Sequence, residues 1–166
     1  MIELWDVYNR NREKTGRIIE RGQEMTQDEY HLVVNAWLQN KEGKYLISQR
    51  TPNKSYPLMW EATGGSALSG ESSLEAALRE VREELGIELD PSCGRLVASG
   101  IRQYDTFPDF LDVWIFFCDY PVEKVQLQEG ETCGAKWASA EEIWDMVCKG
   151  EWIPMEKFNY LKKLGI

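Results

Sequence analysis

The stretch from Gly64 to Ile87 constrains the fold most strongly, because it specifies a helix together with both of its ends. Its apolar residues recur at helical spacing and would form one buried stripe, which consists of Leu74, Ala77, Leu78, Val81 and Leu85. Ser72 and Glu75 have the spacing of an N-terminal capping box, and Gly86 suits a C-terminal cap. We therefore predict a helix that begins near Ser73 and packs against a core.

Three glutamates crowd another arc of this helix. Glu80 and Glu84 stand at positions i and i+4, and Glu83 is at i+3 from Glu80. Like charges at this spacing repel each other and destabilise an isolated helix, so a neutralising partner is expected. A hard divalent cation is the simplest candidate, because Mg²⁺ prefers oxygen ligands. A solvated helix face is the alternative for glutamates considered by themselves.

Strand-like segments flank the helix on both sides. They cover residues 3–8, 17–20, 31–38, 44–49, 95–103, 111–119 and 133–138. A second helix is expected to begin at Ser139, where Glu142 again has capping-box spacing, and a short last helix is expected over Met155–Leu164. A central helix flanked by strands, with helices at the end, predicts an α+β or α/β sandwich.

Length and charge limit the class of protein. The 166 residues fit one domain with a sizeable core, which we take as 1–166 with an N-terminal hairpin extension over 1–27. The formal net charge of −9 argues against a scaffold for nucleic acid, which needs clustered Lys and Arg. The sequence contains no apolar run long enough to span a bilayer, so we expect no membrane partner.

Cysteine use and the N-terminus indicate the compartment. The four cysteines are widely spaced without a C-x-x-C pair, and the N-terminus lacks the charged and apolar regions of a signal peptide. We therefore expect reduced thiols and a cytoplasmic protein.

The opening stretch also carries a longer motif. In order, it reads Gly65-x5-Glu71-x7-Arg79-Glu80-Val81-x-Glu83-Glu84-x-Gly86-Ile87. This pattern resembles the Nudix box, with every fixed position filled, over residues 65–87. The order of elements around it also resembles a Nudix fold, which implies an α/β/α sandwich with a mixed central sheet. The family resemblance implies an enzyme that hydrolyses a diphosphate linkage in a small nucleoside-diphosphate-type compound.

The resemblance implies roles for the box residues. The residues that match the metal-binding glutamates of the family are Glu80, Glu83 and Glu84. The backbone carbonyl around Gly65 is a further expected ligand, for Mg²⁺ or alternatively Mn²⁺. Arg79 and Glu71 match positions that support catalysis by orienting the acidic cluster through a salt bridge. A bound ion would lower the pKa of the water that attacks phosphorus.

One carboxylate outside the box often serves this family as metal ligand or base. Glu131 lies in the segment that leads into the strand of Trp137, which resembles the usual placement, and Glu129 is the alternative. Both could equally belong to a loop surface. Asp112 is the other candidate, because it interrupts an apolar strand face, where a charge needs a partner, a metal or a pocket.

The segments that flank the box resemble the isopentenyl diphosphate isomerase branch of the superfamily. The resemblance is carried by residues 31–38 and 46–54, and it implies that Arg50 and Lys54 contact the substrate diphosphate. Arginine suits bidentate contacts and lysine supplies a point charge. A basic surface loop in an acidic protein is the alternative.

Other positions depart from the isomerase pattern. His31 falls where that branch has a metal-binding histidine. The segment after Trp60 contains neither the isomerase cysteine nor a histidine, and the box glutamates are retained. We therefore expect a hydrolase site within an isomerase-like frame and leave His31 outside the metal set. An isomerase and a non-catalytic binding module with the Nudix fold are the alternatives.

Aromatic side chains are candidates to bind the rest of the substrate. Trp60, Tyr56, Tyr104 and Phe107 could stack on a base or line an apolar pocket, although core packing is the default for Trp60. The expected partner is a small-molecule diphosphate, bound by a monomer or a homodimer.

Overall fold

A computed structural model describes residues 2–155 and 159–166 of the chain. Its strands are β1 (Leu4–Tyr8), β2 (Lys14–Glu20), β3 (His31–Gln39), β4 (Tyr45–Arg50), β5 (Trp60–Glu61), β6 (Thr63–Ser66), β7 (Gly94–Arg102), β8 (Asp109–Phe117) and β9 (Thr132–Ala138). Its α-helices are α1 (Ser73–Leu85) and α2 (Ala140–Lys149). Short 3₁₀ helices cover Pro91–Cys93, Val122–Lys124 and Leu161–Leu164.

The central sheet is mixed. β3 runs parallel to β8, whereas β7 pairs with β8, and β9 with β4, in the antiparallel sense. β3 and β4 pair only at Leu38↔Leu46 and Gln39↔Tyr45, and the two strands then separate. β6 continues the pairing along β3, and β5 continues it along β4. The glycine-rich β6 therefore lies inside the split between two central strands.

Helices cover both faces of this sheet. Alternate side chains of β3, such as Val34 and Ala36, pack with the apolar stripe of α1. Trp37 points to the other face and packs with Ile143 and Met146 of α2. The predicted α/β/α sandwich with a mixed central sheet is confirmed.

The predicted helix boundaries agree with the capping contacts. At α1 the Glu75 carboxylate accepts from the Ser72 backbone N–H at 2.8 Å, and Gly86 adopts φ 68° at the C-cap. α2 begins after Ser139 with the same reciprocal capping box. Of the predicted last helix, 156–158 lie outside the described residues, and only Leu161–Leu164 of its described residues are helical, as a short 3₁₀ helix.

The strand predictions differ from the structure in three places. β8 covers Asp109–Phe117, which begins and ends two residues before the predicted 111–119. β2 begins at Lys14 rather than at residue 17, because the turn after β1 is tighter than its polar sequence indicates. The sequence does not predict the short strands β5 and β6, since β5 has only two residues and the glycines of β6 leave no alternation of apolar and polar residues. None of the helices in the described residues is long and apolar enough to cross a membrane.

β1 and β2 form a separate antiparallel hairpin that is tied to the domain. Arg12 in its turn donates to the Asp112 carboxylate on β8, with one contact at 2.9 Å, and to Ser99 at 2.7 Å. Asp112 is only 1% exposed. Its charge requires a partner, and Arg12 is that partner.

A stacked aromatic pair also joins the hairpin to the sheet. The Trp5 ring of β1 lies 4.4 Å from the His31 ring with an interplanar angle of 9°. Burial lowers the pKa of His31 from 6.5 to about 4, and the positive charges of Arg102 and Arg21 act in the same direction. The imidazole is therefore neutral in the folded protein at pH 7.

We predict that His31 makes folding sensitive to mildly acidic pH. The unfolded chain binds a proton below pH 6.5 and the folded chain resists it, so stability falls as the pH falls from 6.5 towards 4. Between pH 7 and pH 5 this residue should cost about 2 kcal/mol of unfolding free energy. Urea denaturation of His31→Phe, which keeps the stacked ring, should lack this loss.

Paired carboxylates elsewhere titrate in both proteins, so the difference between the two pH profiles isolates His31. Equal profiles would contradict the prediction.

Candidate active site

A cleft of about 800 Å³ lies beside the acidic face of α1. β6 and the N-terminal ends of β3 and β8 form its other sides. The box residues that line it are Gly65, Arg79, Glu80, Glu83 and Glu84. Lys54 and Glu131 line it from two loops. The structure thus brings most of the predicted chemical groups to one place.

The glycines of β6 permit a close approach between strand and helix. A Cβ atom on Gly65 would lie 2.4 Å from the Glu80 Oε1 atom. One on Gly64 would lie 2.2 Å from the Val34 carbonyl oxygen. Only glycine fits at position 64, whereas a side chain at position 65 would force the Glu80 carboxylate to move. The backbone of β6 and the Glu80 carboxylate therefore share one side of the cleft.

Arg79 connects the carboxylates of the box. Its guanidinium donates twice to Glu71, at 2.7 and 3.1 Å, and to the Ser66 carbonyl at 3.0 Å. Its Nη1 atom also donates to Glu80 at 2.8 Å and to Glu83 at 3.0 Å. One half-buried cation therefore partly neutralises three carboxylates and fixes their directions.

Glu84 is the carboxylate that Arg79 does not reach. Its side chain is 5% exposed, and its Oε2 atom is buried without a hydrogen-bond partner. Burial raises the pKa of Glu84 from 4.5 to about 8, and the nearby Glu80 and Glu61 add to this shift. Burial also raises the pKa of Glu80, against the opposing effect of Arg79. This concentration of buried carboxylate oxygens fits a divalent cation.

The carboxylates are not gathered around one point in the described part of the chain. Among residues 2–155 and 159–166, no group of three or more His, Cys, Asp or Glu side chains is arranged to hold a metal ion. Arg79 holds Glu80 and Glu83 instead. Mg²⁺ commonly takes one or two carboxylates and fills its remaining positions with water and substrate phosphates. The carboxylates of Glu80 and Glu84 are therefore enough to hold one Mg²⁺ ion.

Lys54 and Glu131 form an ion pair at the cleft. The Nζ atom of Lys54 donates to the Oε2 atom of Glu131. Both charges also act on the buried Glu84, in opposite directions. The alternative acid, Glu129, is exposed and lies outside the cleft lining.

Arg50 lies outside the cleft lining, although the sequence suggests a substrate contact. Its Nη1 atom donates to both oxygens of Glu61 at 2.8 and 2.7 Å, and its Nε atom donates to the Ser55 carbonyl at 2.6 Å. Glu61 is buried and requires a cation, which Arg50 supplies.

Three other candidates from the sequence also lie outside the cleft lining. Trp60 stacks under Lys136, whose Nζ atom is 4.4 Å from the ring centroid. Asp112 is taken by Arg12, and Tyr56 is exposed. Of the aromatic candidates, Tyr104 and Phe107 line the cleft.

The far end of the cleft contains charged groups that the sequence did not reveal. Arg102 donates to both oxygens of the buried Asp109 at 2.7 and 2.9 Å. Cross-strand register places Asp109 opposite Arg102 on one side and His31 on the other. Glu3 and Arg21 reach the cleft from the hairpin. These residues belong to no motif, and only the strand register and the hairpin position bring them together.

Comparisons with known proteins identify the family. A model of the NUDIX domain matches residues 29–160. The chain belongs to the Nudix family. A Nudix hydrolase from Listeria monocytogenes is 38% identical to this Nudix protein over 165 residues, which cover 98% of this chain and 95% of the relative.

Two further matches extend this relationship. A crystal structure of a Deinococcus radiodurans protein has a TM-score of 0.76 and 26% identity, covering 98% of this chain and 99% of that chain. An isopentenyl-diphosphate Delta-isomerase from Escherichia coli is 28% identical over 118 residues, or 68% of this chain and 64% of the isomerase. The predicted Nudix hydrolase class and the likeness to the isomerase branch are confirmed. Nudix proteins generally use divalent metals.

We predict that Arg50 stabilises the fold of this Nudix protein. Arg50→Met would leave Glu61 buried without its partner, so the free energy of unfolding should fall by about 3 kcal/mol or more. Arg50→Met/Glu61→Gln removes the unpaired charge and should recover part of this loss. Urea denaturation measures both changes. Wild-type stability with a raised KM for a diphosphate substrate would place Arg50 on the substrate instead.

Proposed function

We propose that this Nudix protein is a Mg²⁺-dependent hydrolase that cleaves a diphosphate linkage in a small nucleoside-diphosphate-type substrate with water. The observation that carries the proposal is the buried Glu84 carboxylate, whose Oε2 atom has no partner although it lines the cleft beside Glu80. A buried carboxylate of this kind needs either a proton or a cation. The position of Glu84 within a complete Nudix box favours the cation.

The proposed ligands are the carboxylates of Glu80 and Glu84 and the carbonyl oxygen of Gly65, with Glu83 at the more exposed rim of the site. When bound, Mg²⁺ offsets phosphate charge and lowers the pKa of a coordinated water. Mn²⁺ is the alternative ion, because it also accepts carboxylate, carbonyl and water ligands.

Arg79 and Glu71 are proposed to position the ligands. The neighbouring carboxylates favour the charged form of Arg79 and raise its pKa, so the guanidinium remains cationic at any working pH. Glu71 holds Arg79 through two hydrogen bonds and in turn accepts from the Leu68 backbone N–H at 2.8 Å. Arg79 can therefore keep Glu80 and Glu83 directed into the cleft.

Lys54 and Glu131 are proposed to act together on the substrate. A phosphate oxygen can replace the Glu131 carboxylate as the acceptor for the Lys54 Nζ atom. Glu131 is then free to accept a proton from the attacking water. The exchange needs no large movement, because Lys54 and Glu131 both line the cleft.

The far end of the cleft favours a polar leaving group. Arg102 and Asp109 form a buried ion pair there, and Tyr104 lies over the Arg102 guanidinium with a centroid distance of 5.4 Å. An apolar isoprenoid tail would cover this ion pair and offer it no hydrogen bond. A nucleoside offers both a flat ring and polar edges, which supports it over the isoprenoid of the isomerase alternative.

The proposed partner is a small molecule of the cytoplasm rather than a nucleic acid or a membrane. The net charge of −9 disfavours binding to a phosphate polymer. The proposed assembly is a monomer or a homodimer.

We predict that carboxylate-to-amide changes in the box strongly reduce turnover. The substrate panel contains nucleoside triphosphates, nucleotide sugars, dinucleotides, coenzyme A and isoprenoid diphosphates, each offered with Mg²⁺. Glu84→Gln and Glu83→Gln should lower the release of phosphate-containing products by about 100-fold. Product identity establishes which linkage is cut.

Glu141→Gln is the matched control, because Glu141 is an exposed glutamate of α2 outside the cleft lining and belongs to no candidate site. It should retain wild-type turnover. Unchanged turnover in both box variants would contradict the proposed site. An isomerised isoprenoid diphosphate would support the isomerase alternative, and ligand binding without turnover across the panel would support a binding module.

A further inference from the structure

We propose that the N-terminal hairpin is a working part of the metal site, with Asp6 as a positioning residue that acts through Glu71 and Arg79. The hairpin lies outside residues 29–160, which match the NUDIX domain. The inference rests on the metal site proposed above. It adds to that site a positioning residue on the separate sheet of β1 and β2.

Asp6 clamps the loop that enters α1. Its Oδ1 atom accepts from the Ser69 hydroxyl at 2.8 Å, and its Oδ2 atom accepts from the Gly70 backbone N–H at 2.9 Å. The neighbouring carbonyl of Leu4 accepts from the Ser69 backbone N–H at 2.7 Å. Lys14 donates to the same Asp6 carboxylate at 2.6 Å. The hydrogen bonds to Gly70, Lys14 and Ser69 lower the pKa of Asp6, so it binds the loop as an anion.

The clamped loop is a tight turn that ends on Glu71. The backbone N–H of Glu71 donates to the Leu68 carbonyl at 3.0 Å, and Gly70 between them has φ 92°, which glycine adopts readily. The Glu71 carboxylate closes the turn by accepting from the Leu68 N–H at 2.8 Å. Asp6 therefore binds Ser69 and Gly70, the two central residues of the turn that orients Glu71.

Glu71 passes this constraint to the proposed ligands. It holds Arg79 at 2.7 and 3.1 Å, and Arg79 holds Glu80 at 2.8 Å and Glu83 at 3.0 Å. Two sets of hydrogen bonds, joined by the backbone of the turn, thus run from the hairpin to the acidic face of α1. Partners outside the ligand shell commonly change metal affinity when they are removed.

The hairpin is itself held firmly enough to serve as a support. Tyr8 exchanges backbone hydrogen bonds with Tyr30 at 2.8 and 2.9 Å, and Trp5 stacks on His31. Glu3, just before β1, also lines the cleft. The hairpin is therefore fixed to the domain and reaches the site with a side chain of its own.

The test measures Mn²⁺ affinity rather than turnover. Free Mn²⁺ is followed by electron paramagnetic resonance in titrations of the full chain, and circular dichroism verifies folding. Asp6→Ala should bind Mn²⁺ about tenfold more weakly than wild type. Asp6→Asn keeps one carbonyl acceptor for Ser69 and should lose less, which gives a second variant if the alanine change impairs folding.

Arg17→Met is the matched control within the hairpin. It removes the ion pair of Arg17 with Glu29 and does not touch the turn before α1. It should leave Mn²⁺ affinity unchanged. If Arg17→Met weakens Mn²⁺ binding as much as Asp6→Ala, Asp6 is only a structural tether and the inference is overturned.

A double-mutant cycle tests the route through Glu71. If Asp6 acts through Glu71, Asp6→Ala should add little to the loss caused by Glu71→Gln. Additive losses would overturn the proposed route, and wild-type affinity in both Asp6 variants would overturn the inference while leaving the metal site intact. Failure of the wild-type protein to bind Mn²⁺ would overturn the proposed function, and the inference with it.

Discussion

The contact on which the site depends is the guanidinium of Arg79 among the carboxylates of one short helix. Glu80, Glu83 and Glu84 would repel each other on an isolated helix. Arg79 offsets this repulsion for Glu80 and Glu83 and leaves Glu84 buried with one unpartnered oxygen. The described contacts therefore neutralise the acidic cluster only in part. A divalent cation would neutralise the remaining negative charge at Glu84.

The architecture makes this arrangement possible through the split between β3 and β4. β6 enters the split, and its glycines let the strand approach the Glu80 carboxylate. A Cβ atom added at Gly65 would lie only 2.4 Å from the Glu80 Oε1 atom. A side chain on β6 would displace the carboxylate. The glycine turn and the glutamates of the motif are therefore parts of one packing requirement, which explains their fixed spacing in the sequence.

Features set by local sequence could be predicted, whereas features set by distant partners could not. The start and end of α1 follow from Ser72, Glu75 and Gly86, which act within a few residues. Asp112 is paired with Arg12, a hundred positions away, and the pairing depends on where the hairpin docks. Arg50 has a carboxylate partner only because β4 and β5 are neighbours. Sequence reasoning identified Asp112 as a charge that needs a partner but could not identify Arg12. It assigned Arg50 to the substrate diphosphate or to a basic surface loop, and it could not identify Glu61 as the partner.

The far end of the cleft illustrates the same limit. Arg102 and Asp109 meet through the register of β7 and β8, and no spacing in the sequence indicates this. His31 matched a metal-binding position of the isomerase branch, but its ring is stacked on Trp5 and burial lowers its pKa. Both contacts depend on the register of β3, β7 and β8 and on where the hairpin docks, which the sequence pattern does not show.

Anomalous diffraction from crystals grown with Mn²⁺ tests most directly whether the cation binds between α1 and β6. We predict an anomalous peak at ligand distance, roughly 2 Å, from the carboxylates of Glu80 and Glu84 and the carbonyl of Gly65. A peak at His31 and Asp109 instead, or a Glu84 carboxylate still without a partner at saturating Mn²⁺, would contradict it.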